Sequence, residues 1–126
     1  MPTDLEHLTK AEHNEKFYKF FDLNNTQYYD WVVNGIFYAA LHYIEAYLAT
    51  KKLHSLDHPD RNAKIRDDNN LGRDIYKKYT ALKDDSEGGR YRMQNFTPGE
   101  IRQDMIPKLD EIKEHLKRYV PRIRLA

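Results

Sequence analysis

Three side chains near the middle of the chain are of the types used in phosphate chemistry. His54, His58 and Arg61 surround a predicted helix start, and His58 and Arg61 share a helix face because they are three residues apart. A helix N-terminus presents free N–H groups and a partial positive charge, which suits a phosphate. Histidine transfers protons near neutral pH, and arginine holds a phosphate through two hydrogen bonds. These are the minimal groups of a metal-independent ribonuclease.

Plainer interpretations of these residues stay open. Both histidines fit an exposed surface on which Arg61 pairs with Asp57 or Asp60. A cation held by His54 and His58 with one of these aspartates is a weaker alternative, because the chain has no HExxH-type pattern.

A second cationic group follows the third helical stretch. Arg90 and Arg92 flank Tyr91, an arrangement that suits phosphate contacts and base stacking in single-stranded nucleic acid. An ordinary surface loop is the alternative. We predict a flexible break at residues 86–89 and a loop at residues 90–95, so these side chains would be presented on a loop.

The elements that must position both groups are predicted to be helices. Thr3 and Glu6 have the spacing of a capping box, which predicts a helix at the start of the chain. Residues 27–52 form the strongest element, and their apolar residues, Trp31 among them, cover most sides. Such a helix is either buried centrally or shared with a partner, and we predict that it is the spine of the bundle. We expect His42 at the edge of the core, hydrogen-bonded to a tyrosine.

Helix boundaries and contacts are also marked locally. Gly35 in the central helix indicates a close helix crossing. Asp57 is the predicted N-cap of the third helix, with Pro59 in its first turn, and residues 67–72 interrupt the pattern. Pro107 predicts a kink or restart in the last helix.

Composition narrows the class of protein. The 126 residues include no cysteine and only 5 glycines and 5 prolines, which is typical of a helical bundle and excludes disulfides and thiolate metal sites. We find no signal peptide and no apolar run of membrane-spanning length, so we expect a cytoplasmic protein. The net charge is +1, and 10 tyrosines with 5 phenylalanines hint at a dimer surface or a polar cleft.

Several segments, taken in order over roughly residues 27–120, resemble the HEPN family. They are Asp30-Trp31-Val32-Val33, residues 37–43, His54 with residues 58–62, and the spaced Tyr79, Leu82, Ser86, Arg90 and Tyr91. The resemblance implies an up-and-down bundle of four or five helices that is usually dimeric. Many members are metal-independent endoribonucleases, whereas others are RNA-binding modules or inactive partners of nucleotidyltransferases.

Active members of that family carry an arginine, a polar residue, and a histidine four to six positions after the arginine. Arg61 and Asn62 match the start of this motif, but the position five after Arg61 is Arg66 and the next histidine is His115. The resemblance therefore implies one of two outcomes: His58 substitutes from the preceding turn, or the site only binds RNA or a nucleotide.

We therefore predict an all-α, HEPN-like bundle of four to five helices that forms a single domain over residues 1–126 and assembles as a homodimer. It would bind RNA or nucleotides and, if it cleaves RNA, would do so without a metal or cofactor. The alternative is a non-catalytic module that partners a nucleotidyltransferase-type protein. The predicted catalytic residues are His58, Arg61 and Asn62, and the predicted RNA- or phosphate-binding residues are His54, Arg66, Arg90, Tyr91 and Arg92.

Overall fold

The computed structural model describes residues 1–125, and over this range the chain is an all-α helical bundle without strands. The helical elements are α1 (Asp4–Lys19), α2 (Tyr29–Thr50), α3 (His58–Asp67), α4 (Gly72–Tyr91), α5 (Pro98–Glu100), a π-helical segment (Ile101–Met105) and α6 (Ile106–Leu116). The predicted fold class is thereby confirmed. No helix in residues 1–125 combines the length and apolar character that crossing a membrane requires.

Helix α1 begins at the predicted capping box. The Thr3 side chain accepts a hydrogen bond from the Glu6 N–H, and the Glu6 carboxylate accepts one from the Thr3 N–H, each at 3.1 Å. Near its other end α1 crosses α2 at Gly35, where an added Cβ would lie 2.9 Å from the Tyr18 Cβ. Glycine is needed there because the two backbones approach closely.

Helix α2 is the predicted centre of the bundle, and it is almost completely enclosed. Between residues 31 and 49, every side chain is buried except four: Trp31, Tyr38, His42 and Ala49. Trp31 is the largest exception to this enclosure, because its side chain is 53% exposed. The other faces of α2 pack against α1, α4 and α6.

Helix α3 starts at the predicted N-cap, where the Asp57 carboxylate accepts a hydrogen bond from the Asp60 N–H at 2.9 Å. It ends at Asp67, so the predicted interruption before the next helix is confirmed. Gly72 turns the chain into α4 with a φ of 76°, in the left-handed region that glycine adopts without strain.

Pro107 coincides with the predicted change in the last helix. Proline lacks the N–H that an α-helical bond would use, and its ring crowds the carbonyl four residues earlier. The turn before it is π-helical, and the Ile106 N–H donates to the Ile101 carbonyl five residues back. α6 then continues in regular α-helical form.

One buried cluster of ionic and polar side chains joins three helices. Glu15 of α1 accepts hydrogen bonds from the Tyr43 hydroxyl of α2 and from Lys113 of α6, whose Nζ lies 2.9 Å from Oε1. Burial alone would raise the pKa of Glu15, but these hydrogen bonds lower it below its ordinary value. We call Glu15, Tyr43 and Lys113 the Glu15 cluster.

Candidate functional site

Arg61 projects from the second turn of α3 onto α2. Its Nε donates to Glu45 Oε1 at 2.5 Å, and both side chains are largely buried, at 13% and 4% exposure. The alternative in which Arg61 pairs with Asp57 or Asp60 is therefore wrong: Asp57 caps the helix, and Asp60 pairs with Lys64. The helix start fixes the position of Arg61, and its side chain joins α3 to α2 through Glu45.

His58 lies beside Arg61 at the start of α3. Its Nδ1 is 3.0 Å from Arg61 Nη1. Because a guanidinium only donates, Nδ1 accepts this bond and the ring proton is assigned to Nε2. Burial lowers the pKa of His58, and the nearby charges of Arg61, Lys83 and Arg90 lower it further. His58 is thus a neutral ring at pH 7 with an N–H available for donation.

Arg90 reaches the same part of the molecule from α4. The predicted break at 86–89 and loop at 90–95 are wrong for residues 86–91, because α4 runs to Tyr91. Ser86 is fully buried, and its hydroxyl donates to Asn34 Oδ1 of α2 at 2.7 Å. This contact holds the C-terminal half of α4 on α2 and places Arg90 on a helix rather than a loop.

The glycines that suggested a break serve close packing instead. A Cβ added at Gly88 would lie 1.9 Å from Gln94 Oε1, and one added at Gly89 would lie 3.0 Å from the Phe96 ring. The segment after α4 therefore folds back tightly against these two positions. Small residues are required there by space, and the helix continues through them.

The Arg90 guanidinium is held between two tyrosine rings. Its carbon lies 5.6 Å from the centre of the Tyr38 ring and 4.9 Å from that of Tyr91. Its Nη1 also donates to the Tyr38 hydroxyl at 3.0 Å. Within residues 1–125 it forms no salt bridge, so its charge is not neutralised by a carboxylate.

The start of α3 and the C-terminal half of α4 together form one surface, which we call the cationic face: His58, Arg61, Lys83 and Arg90. Helices α3 and α4 pack against each other, and the Phe37 ring lies 6.3 Å from the His58 ring and 5.1 Å from the Tyr38 ring that carries Arg90. Lys83 is paired with Glu87 at 2.6 Å, and Arg61 with Glu45. Arg90 is therefore the member best able to meet an additional anion.

Buried polar atoms without a hydrogen-bond partner concentrate beside this face. In the part of the chain that the structure describes they are His54 Nδ1, Ser55 Oγ, Asn62 Oδ1 and the Tyr79 hydroxyl. All four belong to the α2–α3 connection, α3 or α4. Burial raises the pKa of Tyr79 to about 12, and the nearby Arg61 opposes that rise. Buried polar groups are normally satisfied, so their accumulation here is unusual.

The remaining predicted residues are divided between this region and the outer surface. Arg66 is exposed at the other end of α3, where it pairs with Asp67. Arg92 Nη2 donates to the Asp84 carbonyl, also at the surface. Tyr91 is 73% exposed and joins the site through Arg90. The structure thus brings His58, Arg61, Arg90 and Tyr91 together and leaves Arg66 outside.

Sequence reasoning missed Tyr38 and Lys83 as residues of the site, and it missed Glu45 as the partner of Arg61. The sequence did indicate that Glu45 needs a cationic partner, because it is a carboxylate in a helix of mostly buried apolar residues. Tyr38 and Lys83 carried none, because their place in the site depends on how α4 packs on α2.

His42 has a different partner from the expected tyrosine. Its Nδ1 lies 3.1 Å from His7 Nδ1 of α1, so at least one of the two rings is neutral and accepts the bond. Burial lowers the pKa of His42 to about 4, and the charges of His7 and Lys10 lower it as well. Glu45 and Arg61 are also near this pair.

The alternative of a metal site has no geometric support. Among residues 1–125, no group of three or more His, Asp or Glu side chains is arranged to hold a metal ion. His58 Nδ1 is engaged by Arg61, and Asp60 is engaged by Lys64.

Comparison with known proteins identifies no relative: no family model, curated protein or solved structure matches the chain. The resemblance to the HEPN family therefore stays a prediction.

Proposed function

We propose that this protein binds RNA through the cationic face and that Arg90 is its principal phosphate contact. The observation that carries the proposal is the setting of Arg90, whose uncompensated charge is held between Tyr38 and Tyr91 next to His58 and Arg61. Arginine beside exposed aromatic rings suits a single strand, because the cation meets phosphates while rings stack on bases.

Each residue of the face has a distinct role in this proposal. Arg90 binds a phosphate, and the exposed Tyr91 ring offers a stacking surface for a base. Arg61 is a positioning residue: it binds the Nδ1 of His58 and so directs which nitrogen carries the ring proton. The Nε2–H of His58 donates a hydrogen bond to a phosphate oxygen.

Binding is better supported than cleavage. Cleavage of RNA at a 2′-hydroxyl needs one group to accept a proton and another to deliver one. His58 is neutral at pH 7, so its Nε2–H donates a hydrogen bond but does not act as an acid, and its Nδ1 lone pair accepts a proton only if the contact with Arg61 breaks. Loss of RNA integrity in excess EDTA, abolished in a His58→Ala variant, would extend the proposal from binding to cleavage.

The proposal is tested by titrating labelled single-stranded RNA with wild-type protein and two arginine variants, using fluorescence anisotropy. We expect Arg90→Ala to weaken binding about tenfold or more, because a hydrogen bond to a charged group contributes roughly 1.5–3 kcal/mol. Arg73→Ala is the matched control: Arg73 is exposed at the other end of α4, roughly 25 Å away along the helix. Equal affinities for all three proteins would overturn the proposal.

Arg61→Ala is a poorer test of the same idea. It would leave Glu45 buried without its cation, and breaking a buried ion pair in this way typically costs about 3–5 kcal/mol of stability. Lost RNA binding in that variant would therefore not distinguish a binding defect from unfolding.

A second candidate function is docking of a protein, either a nucleotidyltransferase-type partner or a second copy of this chain. It is favoured by aromatic rings at the α1–α2 turn, where Phe20 is 86% exposed and packs edge-on against Phe21, with Phe17 and Tyr28 alongside. Light scattering of wild type and Phe20→Ala tests self-association. Dissociation of a wild-type dimer by this change would support docking at the turn.

A further inference from the structure

The side chains in the middle of α2 that are not fully buried form a single line. Within residues 31–49 they are Trp31, Tyr38, His42 and Ala49, separated by seven, four and seven residues. Positions four and seven apart lie above one another on a helix. A helix that is otherwise buried on every side therefore presents one strip to solvent, and that strip begins with tryptophan and tyrosine.

Contacts on both sides show which elements border this strip. On one side α1 packs against Gly35 through Phe17 and Tyr18. On the other side α4 is joined to α2 by the bond between Ser86 and Asn34. The strip thus lies between α1 and the helix that carries Arg90.

Trp31 is placed to extend the cationic face along the strip. It lies seven residues before Tyr38, which corresponds to two helical turns and ~10.5 Å. Tyr38 carries Arg90 on its ring. Trp31 is 53% exposed, so a large aromatic face is open to solvent two turns from the phosphate contact.

We propose that Trp31 is a second stacking platform, which receives a base of the same single-stranded RNA whose phosphate is bound by Arg90. This inference rests on the proposed function and adds to it the direction of the bound strand, from the cationic face toward the N-terminal end of α2. Stacking on an aromatic ring tolerates any base, so the strip selects for an unpaired strand rather than for a sequence.

The charges around the strip favour a nucleic acid over an apolar peptide. Arg90 borders it and has no salt-bridge partner within the described range 1–125. Asp30 precedes Trp31 and lies toward α4, close to Gly89. A carboxylate at that position repels phosphate, so Trp31 contacts a base and the backbone passes nearer Arg90.

Trp31 is the only tryptophan of the chain, so its intrinsic fluorescence reports directly on this platform. The experiment titrates the protein with an octanucleotide and a dinucleotide of uridine and follows tryptophan fluorescence, with anisotropy of labelled oligonucleotides measured in parallel. We expect the octanucleotide to quench Trp31 and to bind more tightly than the dinucleotide, which has only one phosphate and two bases to cover the ~10.5 Å between Trp31 and Tyr38, the ring that carries Arg90.

Variants separate this inference from the proposed function. Trp31→Ala should weaken octanucleotide binding about tenfold, within the ~1–3 kcal/mol that stacking of one base contributes, and leave dinucleotide binding unchanged. Trp31→Phe should retain most of the affinity for the octanucleotide, whereas Arg90→Ala should weaken the binding of both oligonucleotides. Tyr119→Ala is the matched control and should bind as wild type, because Tyr119 is an exposed aromatic residue that follows α6 and lies outside the strip.

Two results would overturn the inference in distinguishable ways. If Arg90→Ala loses octanucleotide binding but Trp31→Ala binds as wild type and Trp31 is not quenched, the second platform is refuted and the proposed function stands. If neither oligonucleotide binds the wild-type protein, the proposed function itself fails and the platform fails with it.

Discussion

Within residues 1–125, the Glu15 cluster and the cationic face use similar charged residues to different ends. In the Glu15 cluster one carboxylate receives hydrogen bonds from Tyr43 and Lys113, and the exposed Lys19 adds a third at 3.3 Å. On the cationic face, Glu45 pairs with Arg61 through one short bond, while Arg90 has no salt bridge within residues 1–125.

The two clusters differ in whether all of their charges are compensated. The charges of the Glu15 cluster compensate one another, as expected of groups that tie three helices together. On the cationic face, Arg90 has no salt-bridge partner among the described residues. We infer that the first cluster serves stability and that the second retains capacity for a ligand.

The comparison is tested most strongly by breaking the Glu15 cluster. Lys113→Ala would leave Glu15 buried with only Tyr43 and the exposed Lys19, and we expect a loss of about 3 kcal/mol in the free energy of unfolding. Urea denaturation measures this loss. RNA affinity of the folded variant, measured well below its unfolding midpoint, should match that of the wild type.

A surface ion pair supplies the control for that experiment. Lys108 pairs with Asp104 four residues earlier in an exposed setting, and Lys108→Ala should cost only about 0.5 kcal/mol. If Lys113→Ala is no more destabilising than Lys108→Ala, the Glu15 cluster does not hold the helices together as we infer.

A smaller effect is expected from the His7–His42 pair, which joins α1 to α2 near Arg61. Burial lowers the pKa of His42 to about 4, below the 6.5 of an unfolded chain. The unfolded state therefore binds more protons between these values, so stability is fully present above pH 6.5 and falls as the pH drops toward 4. Between pH 7 and pH 5 we expect a loss of about 1 kcal/mol, because partial exposure of the ring reduces the full linkage effect.

The measurement for this pair is urea denaturation at both pH values for wild type and His42→Asn. Asparagine does not titrate, so the variant should lose less stability on acidification than the wild type does. An identical pH dependence in the two proteins would mean that the pair does not couple protonation to folding.

Local features of the fold were predictable from the sequence, whereas partners distant in sequence were not. Asp57 and Thr3 mark helix starts because a cap acts on the next three residues. The proximity of His58 and Arg61 follows from their spacing. The pairing of Arg61 with Glu45 depends on where α3 is placed relative to α2, which no local pattern encodes.

The error at the end of α4 has a specific physical cause. Adjacent glycines usually signal a break, and Gly88 and Gly89 were interpreted in that way. Here they make room for Gln94 and Phe96 in the segment that folds back on the helix. Spatial crowding and chain flexibility both select glycine, and a single sequence does not separate these two causes.

The salt dependence of RNA binding tests the central claim, that Arg90 contacts a phosphate while the Glu15 cluster does not. The slope of log affinity against log salt reports the number of phosphates neutralised. We predict that Arg90→Ala lowers the magnitude of this slope by about 1 relative to wild type, and that folded Lys113→Ala leaves it unchanged. An unchanged slope in Arg90→Ala, or a slope lowered equally in both variants, would contradict the account.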